Sequence, residues 1–586
     1  MPAPQSKAGF HLALVKPSHY DDDGYVIQWL RSAIPSNSLA VLHGLALDSA
    51  AREVLGPGTA ITVASYDETN TRIRPDRIAR DIRAAGKGLV ALVGVQSNQY
   101  PRAMDIARRL RALGIQVAIG GFHVSGSLAM LPGLGSELQE AIALGVSLYA
   151  GEAEEGLDGL LQDAAAGTLK PIYDRMAQLP NLAGVPTPFL PAAQVRRIAG
   201  TIASFDAGRG CPFQCSFCTI INVQGRVSRR RTPDDVEAIL RRNLAQGVRA
   251  FFITDDNFAR NKDWEAILDR LILLRERDGL RAKLMVQVDT LCHRIPRFIE
   301  KCGRAGVNRV FIGLEAINPE SLAAAKKKQN RITEYRDMML AWKAIRASIY
   351  AGYIIGFPAG TQESVLRDIR IIQEELPVDF LEFFIMTPLP GSEDHQKLAA
   401  AGVPMDADLN RYDTFHAVTD HPRMTRAEWE ETYWLAWSSY YSPAHIATLM
   451  RRARASGISP GKMLSMLTGF WSWSLVERVH PLEGGYVRRK HRADRRPGFP
   501  REPAWQFWPR YAADLLAKHA RMAAMALRFL PLRRELKRDP AARHWRDRAL
   551  TPTTTAEDGT LALFQATEAA RTDVAKRRRA AERVTA

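Results

Sequence analysis

Long stretches of the chain read as strands and helices in alternation. Phe10-His11-Leu12-Ala13-Leu14-Val15 predicts a strand. Leu89-Val90-Ala91-Leu92-Val93-Gly94-Val95 predicts a second, apolar throughout and so expected to be covered on both faces. Arg102 to Leu113 follows with Ala103, Ile106, Ala107 and Leu110 on one helical face, and Gly114 is placed to end it in a left-handed cap. Ile115 to Ile119 is the next strand, closed by Gly120-Gly121, and Glu152 to Ala166 the next helix. This strand–helix–strand order predicts a doubly wound, Rossmann-like sheet over residues 1–195, its linker running from Pro180 to Pro191.

A steadier beat occupies residues 196–409. Strands are expected at Ile202–Asp206, Ala250–Thr254, Leu284–Val288, Val310–Leu314, Ala351–Ile355 and Phe380–Ile385, with helices between them. One helix opens on Thr232-Pro233-Asp234-Asp235, a cap residue, a proline in the first turn and two acids at the positive end of the helix dipole. Six such units predict a partial (β/α)6 barrel of the TIM type, with its chemistry at the C-terminal strand ends. The beat then stops. Residues 410–548 hold eight of the eleven tryptophans and predict a helical domain. The stretch 549–586, with Thr551-Pro552-Thr553-Thr554-Thr555 and the basic run Lys576 to Arg579, is expected to be disordered.

Composition changes the picture in one place. The 586 residues include 80 Lys+Arg and 63 Asp+Glu, a net charge of +17. Arg488 to Arg548 contains 18 basic and 6 acidic residues, so +12 of the excess is local. Tyr511 to Lys537 mixes Leu, Met and Ala with Arg and Lys, as a helix on an anionic membrane surface does. The same helix also suits an acidic electron donor, nucleic acid, or plain solvation. Arg226, Arg229, Arg230 and Arg231 form a second basic cluster, placed to meet a substrate anion or to neutralise nearby acids. No apolar run reaches membrane-spanning length and the N-terminus carries charges early, so a cytoplasmic protein is expected, with peripheral contact to the inner membrane face through the basic helix.

The cysteines carry the sharpest signal. Cys211, Cys215 and Cys218 lie in Gly208-Arg209-Gly210-Cys211-Pro212-Phe213-Gln214-Cys215-Ser216-Phe217-Cys218, directly after the first barrel strand. Three thiolates at C-x3-C-x2-C suit an iron–sulfur cluster or zinc. A closed zinc site wants a fourth ligand, and no nearby Cys or His supplies it. Cys302 reads as a buried structural thiol, whereas Cys292, near a strand end, is a candidate hydrogen donor.

This segment resembles the signature of the radical S-adenosylmethionine enzymes, the aromatic Phe217 before the last cysteine included. The resemblance implies that Cys211, Cys215 and Cys218 bind a [4Fe–4S] cluster whose open iron chelates S-adenosylmethionine, cleaved by one electron to a 5′-deoxyadenosyl radical. It further implies S-adenosylmethionine contacts from Phe217, Asp256, Asn257, Glu315 and Gly356, at successive strand ends. Where family members show a Gly-Gly-Glu-like turn, this chain has Asp255-Asp256-Asn257.

The N-terminal part resembles the cobalamin-binding domain fused to many of these enzymes. The resemblance implies cobalamin contacts from Ser97, Asn98, Gly120, Gly121, His123 and Glu152. The Asp-x-His-x-x-Gly pattern of methionine-synthase-like domains is missing, which implies cobalt without a protein histidine. With cobalamin, a [4Fe–4S] cluster and S-adenosylmethionine together, the expected activity is methylation of an unactivated carbon, the radical removing a hydrogen and methylcobalamin supplying the methyl group. A cobalamin-dependent cyclase or rearrangement enzyme is the first alternative, and a nucleic-acid-binding iron–sulfur protein the second, disfavoured because no recognition module is evident. The expected partners are a small-molecule or lipid substrate and a flavodoxin- or ferredoxin-type electron donor.

Overall fold

A computed structural model describes residues 9–553 and 560–585. The N-terminal sheet has six parallel strands, β1 (Gly9–Lys16), β2 (Ala60–Asp67), β3 (Gly86–Leu92), β4 (Gln116–Gly120), β5 (Ser147–Ala150) and β6 (Ile172–Asp174), in the order β2-β1-β3-β4-β5-β6. The order in which strands are added reverses between β1 and β3, and that switch point opens a crevice at the C-terminal strand ends. Both faces are covered, which explains the uninterrupted apolar strands. Ala13, Val15, Val90 and Leu92 pack against helices Pro75–Ala85 and Tyr100–Ala112. Leu12, Leu14, Leu89 and Ala91 face helices Asn37–Ala51 and Leu157–Ala166, in a core continuous with the next domain. The expected helix from Glu152 begins only at Leu157, after a turn that presents Glu152 and Glu154 to the barrel.

The second sheet is the partial barrel. Its strands β7 (Ile202–Phe205), β8 (Ala250–Ile253), β9 (Lys283–Val288), β10 (Val307–Glu315), β11 (Ser348–Ile355) and β12 (Phe380–Ile385) are all parallel, in the order β12-β11-β10-β9-β8-β7. All six expected strands are present, several extended at their N-terminal ends. Thr232 caps helix Pro233–Ala245 with a reciprocal box to Asp235, as its sequence predicts.

The C-terminal region is mainly helical, and its aromatics close the barrel. Trp437, on helix Arg426–Tyr440, meets Phe383 of β12 edge-to-face at 5.1 Å. Helix Pro460–Leu475 brings Phe470 against Phe380 at 4.8 Å. The chain then returns to the N-terminal domain, where Gly485–Arg489 pairs antiparallel with Gln28–Ser32. That strand ties the mostly helical C-terminal region back to the first domain.

Beyond the helical region, among the described residues, Leu561, Leu563 and Phe564 are buried, and helix Glu568–Thr585 follows with Ala570 and Val574 inside. The anchor is Glu375, whose carboxylate accepts the backbone N–H groups of Ala562 and Leu563 at 2.8 and 3.0 Å. Short apolar clusters far apart in a polar sequence have no periodicity to announce them. Thr554 and Thr555 lie outside the described residues.

Candidate functional site

The cysteine loop leaves β7 through Gly208–Arg209, which pairs antiparallel with Arg229–Arg230. Gly210 sits at φ +91°, and a Cβ there would meet the Val227 carbonyl oxygen at 2.7 Å, so only glycine makes the turn. Asp255, at the end of β8, holds the start of the loop: its Oδ1 accepts the N–H groups of Ala207 and Gly208 at 2.7 and 2.9 Å, and its Oδ2 accepts from Asn261. Asp256 accepts the Gly210 N–H at 3.1 Å. Burial pushes these two carboxyls up, Asp255 to about 7 and Asp256 to about 6.

Cys215 is buried, and Cys211 and Cys218 are half-buried. Burial raises the Cys211 thiol to about 11 and the Cys218 thiol to about 12, so these groups need a cation to become thiolates. Among the described residues no three Cys, His, Asp or Glu side chains converge on a single-ion position. The soft, all-sulfur donor set suits an iron–sulfur cluster.

The wall opposite the loop is Lys326 to Asn330, a segment that sequence reasoning missed. Gln329 Nε2 lies 3.5 Å from Cys215 Sγ, and Lys327 Nζ stands 5.8 Å from the centre of the Phe217 ring. Lys327 is paired with Glu315, which adopts a left-handed backbone at φ +63° at the end of β10. Burial works to lower the Lys327 pKa, but Glu315 and the neighbouring cysteines outweigh it and hold the ammonium charged. A run of three lysines followed by Gln-Asn was the available signal.

The remaining expected residues divide. Asn257 donates to Asp289 at 2.9 Å, beside the bidentate Arg260–Asp289 pair, so it braces the ends of β8 and β9. Gly356 lies under Trp429: at φ +121°, its Cβ would fall 2.0 Å from the indole, whose N–H donates to the Ile355 carbonyl. Cys292 is fully buried against Trp342 with its thiol pushed up to about 12 by burial, and Cys302 lies in the same core. Neither presents a thiol to an open space, so the candidate hydrogen-donor role of Cys292 has no geometry behind it.

A cavity of about 170 Å³ opens at the C-terminal ends of β1, β3, β4 and β5. Leu14, Val41, Ala91, Gly120, Gly121, Gly151 and Glu152 line it from the N-terminal domain, and Arg209, Val223 and Gln224 from the cysteine loop. Of the six residues expected there, Gly120, Gly121 and Glu152 take part. Ser97, Asn98 and His123 do not. Ser97 and His123 hydrogen-bond each other at 3.1 Å in the interior, and Asn98 donates to Glu483. Burial, with His395 nearby, lowers the His123 pKa to about 3. Asn98 thus reaches the C-terminal region, while Ser97 and His123 pair within the N-terminal domain.

Arg209 joins the two sites. Its buried guanidinium reaches Glu152 at 2.6 Å, Glu154 at 2.6 Å and Asp206 at 3.1 Å. Arg229 also pairs with Glu152, Arg230 meets Asp263, and Arg231 donates to the Asp206 and Val185 carbonyls. Three of the four clustered arginines therefore neutralise acids or cap carbonyls, and Arg226 is exposed. Burial alone would raise the Asp206 pKa; Arg209 and Arg231 overcome that and lower it.

Residues 206–389 match the model of the Radical SAM superfamily, and this part of the chain is a radical SAM domain. The matched domain marks an enzyme of the radical S-adenosylmethionine kind. Over 57% of its length the chain is 26% identical to bacteriochlorophyllide d C-8(2)-methyltransferase of Chlorobaculum tepidum, covering 73% of that protein. It is 24% identical to the hopanoid C-2 methylase of Rhodopseudomonas palustris, over 57% of this chain and 63% of that one. The fold is shared with TsrM from Kitasatospora setae, a radical S-adenosylmethionine methyltransferase solved with cobalamin and a [4Fe–4S] cluster (TM-score 0.54, 17% identity, 74% of this chain and 89% of that one). It is shared also with the cobalamin-dependent radical enzyme OxsB (TM-score 0.53, 12% identity, 89% and 80%).

Proposed function

We propose that this protein is a cobalamin-dependent radical S-adenosylmethionine methyltransferase acting on an unactivated carbon. One observation carries the reading. The cavity at the switch point of the N-terminal sheet and the cysteine loop share a wall, with Arg209 belonging to both. In this reading Cys211, Cys215 and Cys218 hold the cluster, and Asp256, Glu315 and Lys327 surround S-adenosylmethionine. The apolar and glycine residues of the cavity, Gly120 and Gly121 among them, take the cobalamin, and among the described residues no histidine lines that cavity. When bound, the cluster and S-adenosylmethionine supply a hydrogen-abstracting radical, and cobalamin supplies the methyl group. The chain itself orients the two sites through the Arg209 hub and keeps the Lys327 ammonium charged beside the cysteines. The test is product analysis under anaerobic conditions with a reductant of the flavodoxin or ferredoxin type. Methylation requires 5′-deoxyadenosine and S-adenosylhomocysteine together; cobalamin-dependent 5′-deoxyadenosine without S-adenosylhomocysteine refutes methyl transfer and selects a rearrangement.

The helix Ala504–Arg528 supports a membrane-surface contact. Trp505, Trp508, Leu516 and Leu527 fall on one helical face and are 57–74% exposed, while Phe507 and Met525 pack inward and Arg510, Arg521 and Arg528 are exposed together on one side of the helix, next to the inward face. No helix among the described residues is long and apolar enough to cross a membrane. Such a helix would draw a lipid-like substrate from an anionic bilayer. Co-sedimentation with phosphatidylglycerol vesicles, lost in a Trp505→Glu, Trp508→Glu double variant, checks it; equal sedimentation of both proteins rejects it.

A further inference from the structure

The three sulfurs of the cysteine loop each meet a hydrogen-bond donor, and one of those donors comes from far away in the chain. Cys211 and Cys218 face backbone N–H groups of their own loop, from Phe213 in one case and from Ile220 and Ile221 in the other. Cys215 faces a side chain: Gln329 Nε2 stands 3.5 Å from its Sγ, across 114 residues of sequence. A metal-bound thiolate can only accept, so the amide presents its nitrogen to it.

The fold holds this donor in place. Helix Pro319–Ala324 ends in a turn with Lys326 at φ +55°, which leads the chain into the wall facing the cysteine loop. Asn330 donates to the Gly313 and Leu314 carbonyls at 3.0 and 2.7 Å, near the end of β10, and the Thr290 hydroxyl donates to the Gln329 carbonyl at 3.1 Å. The Ser216 N–H donates to the Ala325 carbonyl at 3.3 Å, so the residue after Cys215 is tied to the strip that carries Gln329. Gln329 and Cys215 are 7% and 8% exposed. In so dry a place a hydrogen bond to a charged acceptor is stronger than in water.

We propose that Gln329 is a positioning residue that acts through Cys215: its amide N–H raises the reduction potential of the cluster and so eases electron entry from a flavodoxin- or ferredoxin-type donor. The inference rests on the proposed function, in which Cys211, Cys215 and Cys218 hold a [4Fe–4S] cluster. The step is electron transfer alone. The donor loses one electron and the cluster gains it, with no bond made or broken and no proton moved. The added electron increases the negative charge on the sulfurs, so a hydrogen bond to a ligand sulfur stabilises the reduced state more than the oxidised one. Lys327, buried in the same wall, adds a positive charge that acts in the same direction.

The test is a potentiometric titration of the full-length protein with its cluster reconstituted anaerobically. Dithionite is the reductant, and the low-temperature electron paramagnetic resonance signal of the reduced cluster is the readout. Gln329→Leu keeps most of the side-chain bulk and removes the donor. Its cluster is expected to be about threefold to tenfold harder to reduce, a midpoint about 30–60 mV more negative for a one-electron couple. A change of less than about twofold in that equilibrium, or a midpoint shifted positive, overturns the inference. A second measurement does not depend on the variant loading iron. Parent protein carrying a nitrogen-15 label in its glutamine side chains is expected to show a coupling from that label in the pulsed spectrum of the reduced cluster. Absence of the coupling in the parent, or its persistence in Gln329→Leu, overturns the inference. A parent protein that binds no [4Fe–4S] cluster refutes the proposed function, whereas a normal cluster whose potential ignores position 329 refutes this inference alone.

Discussion

Replacing Arg209 with methionine is the most direct probe of how the two cofactor sites are held together. The guanidinium contacts three carboxylates, each with a side chain below one tenth exposed. Glu152 keeps Arg229 and Asp206 keeps Arg231 when Arg209 is removed, but Glu154 is left with no other ion pair among those described. Removing one partner of a buried ion pair costs about 3–5 kcal/mol, because the remaining charge stays desolvated. For domains of roughly 200 residues, about 1 kcal/mol corresponds to about 2–4 °C, so the variant should melt about 6–20 °C lower. The double variant Arg209→Met, Glu154→Gln removes the stranded charge and should recover about half of that loss. Differential scanning fluorimetry of the four proteins of the cycle gives the comparison. A single variant that melts with the parent, or a double variant no better than the single one, would refute the claim that Arg209 compensates buried charge at the junction.

Alanine at Cys211, Cys215 or Cys218 should abolish iron loading and lower 5′-deoxyadenosine formation by about 100-fold or more, while Cys302→Ala should retain iron and lose about 1–3 kcal/mol of stability, read by iron assay and thermal melting. Gly356→Ala should destabilise by at least about 2 kcal/mol, because Trp429 occupies the Cβ position and φ is positive; an unchanged melting point would count against that packing. The Glu382 carboxyl titrates higher in the folded chain than its ordinary value, so the folded state binds its proton more tightly and stability falls as pH rises from about 4.5 to about 8. Its facing groups are His480, Gly352 and Phe384, and Glu382→Gln should flatten that slope in melts taken across the window.

Much of the architecture follows from local sequence. Six strand–helix units from Ile202 to Ile385 announce a parallel barrel because each apolar run is short, strongly β-forming and bounded by polar turns. The cysteine spacing and its place after β7 mark the cluster loop for the same reason: all its information lies within a few residues. What the sequence could not announce are pairings between residues far apart along the chain. Arg209 reads as a stray charge until the fold brings Glu152 and Glu154 against it. Ser97, Asn98 and His123 read as ligands until the domains pack around them. Glu382 reads as an ordinary strand polar residue until helix Pro460–Leu475 and the segment after it bury it beside His480. Hydrophobic period and ligand spacing are local and so belong to the sequence, whereas charge compensation and the desolvation that shifts a proton depend on which distant segments share a dry interior, and only the tertiary structure decides that.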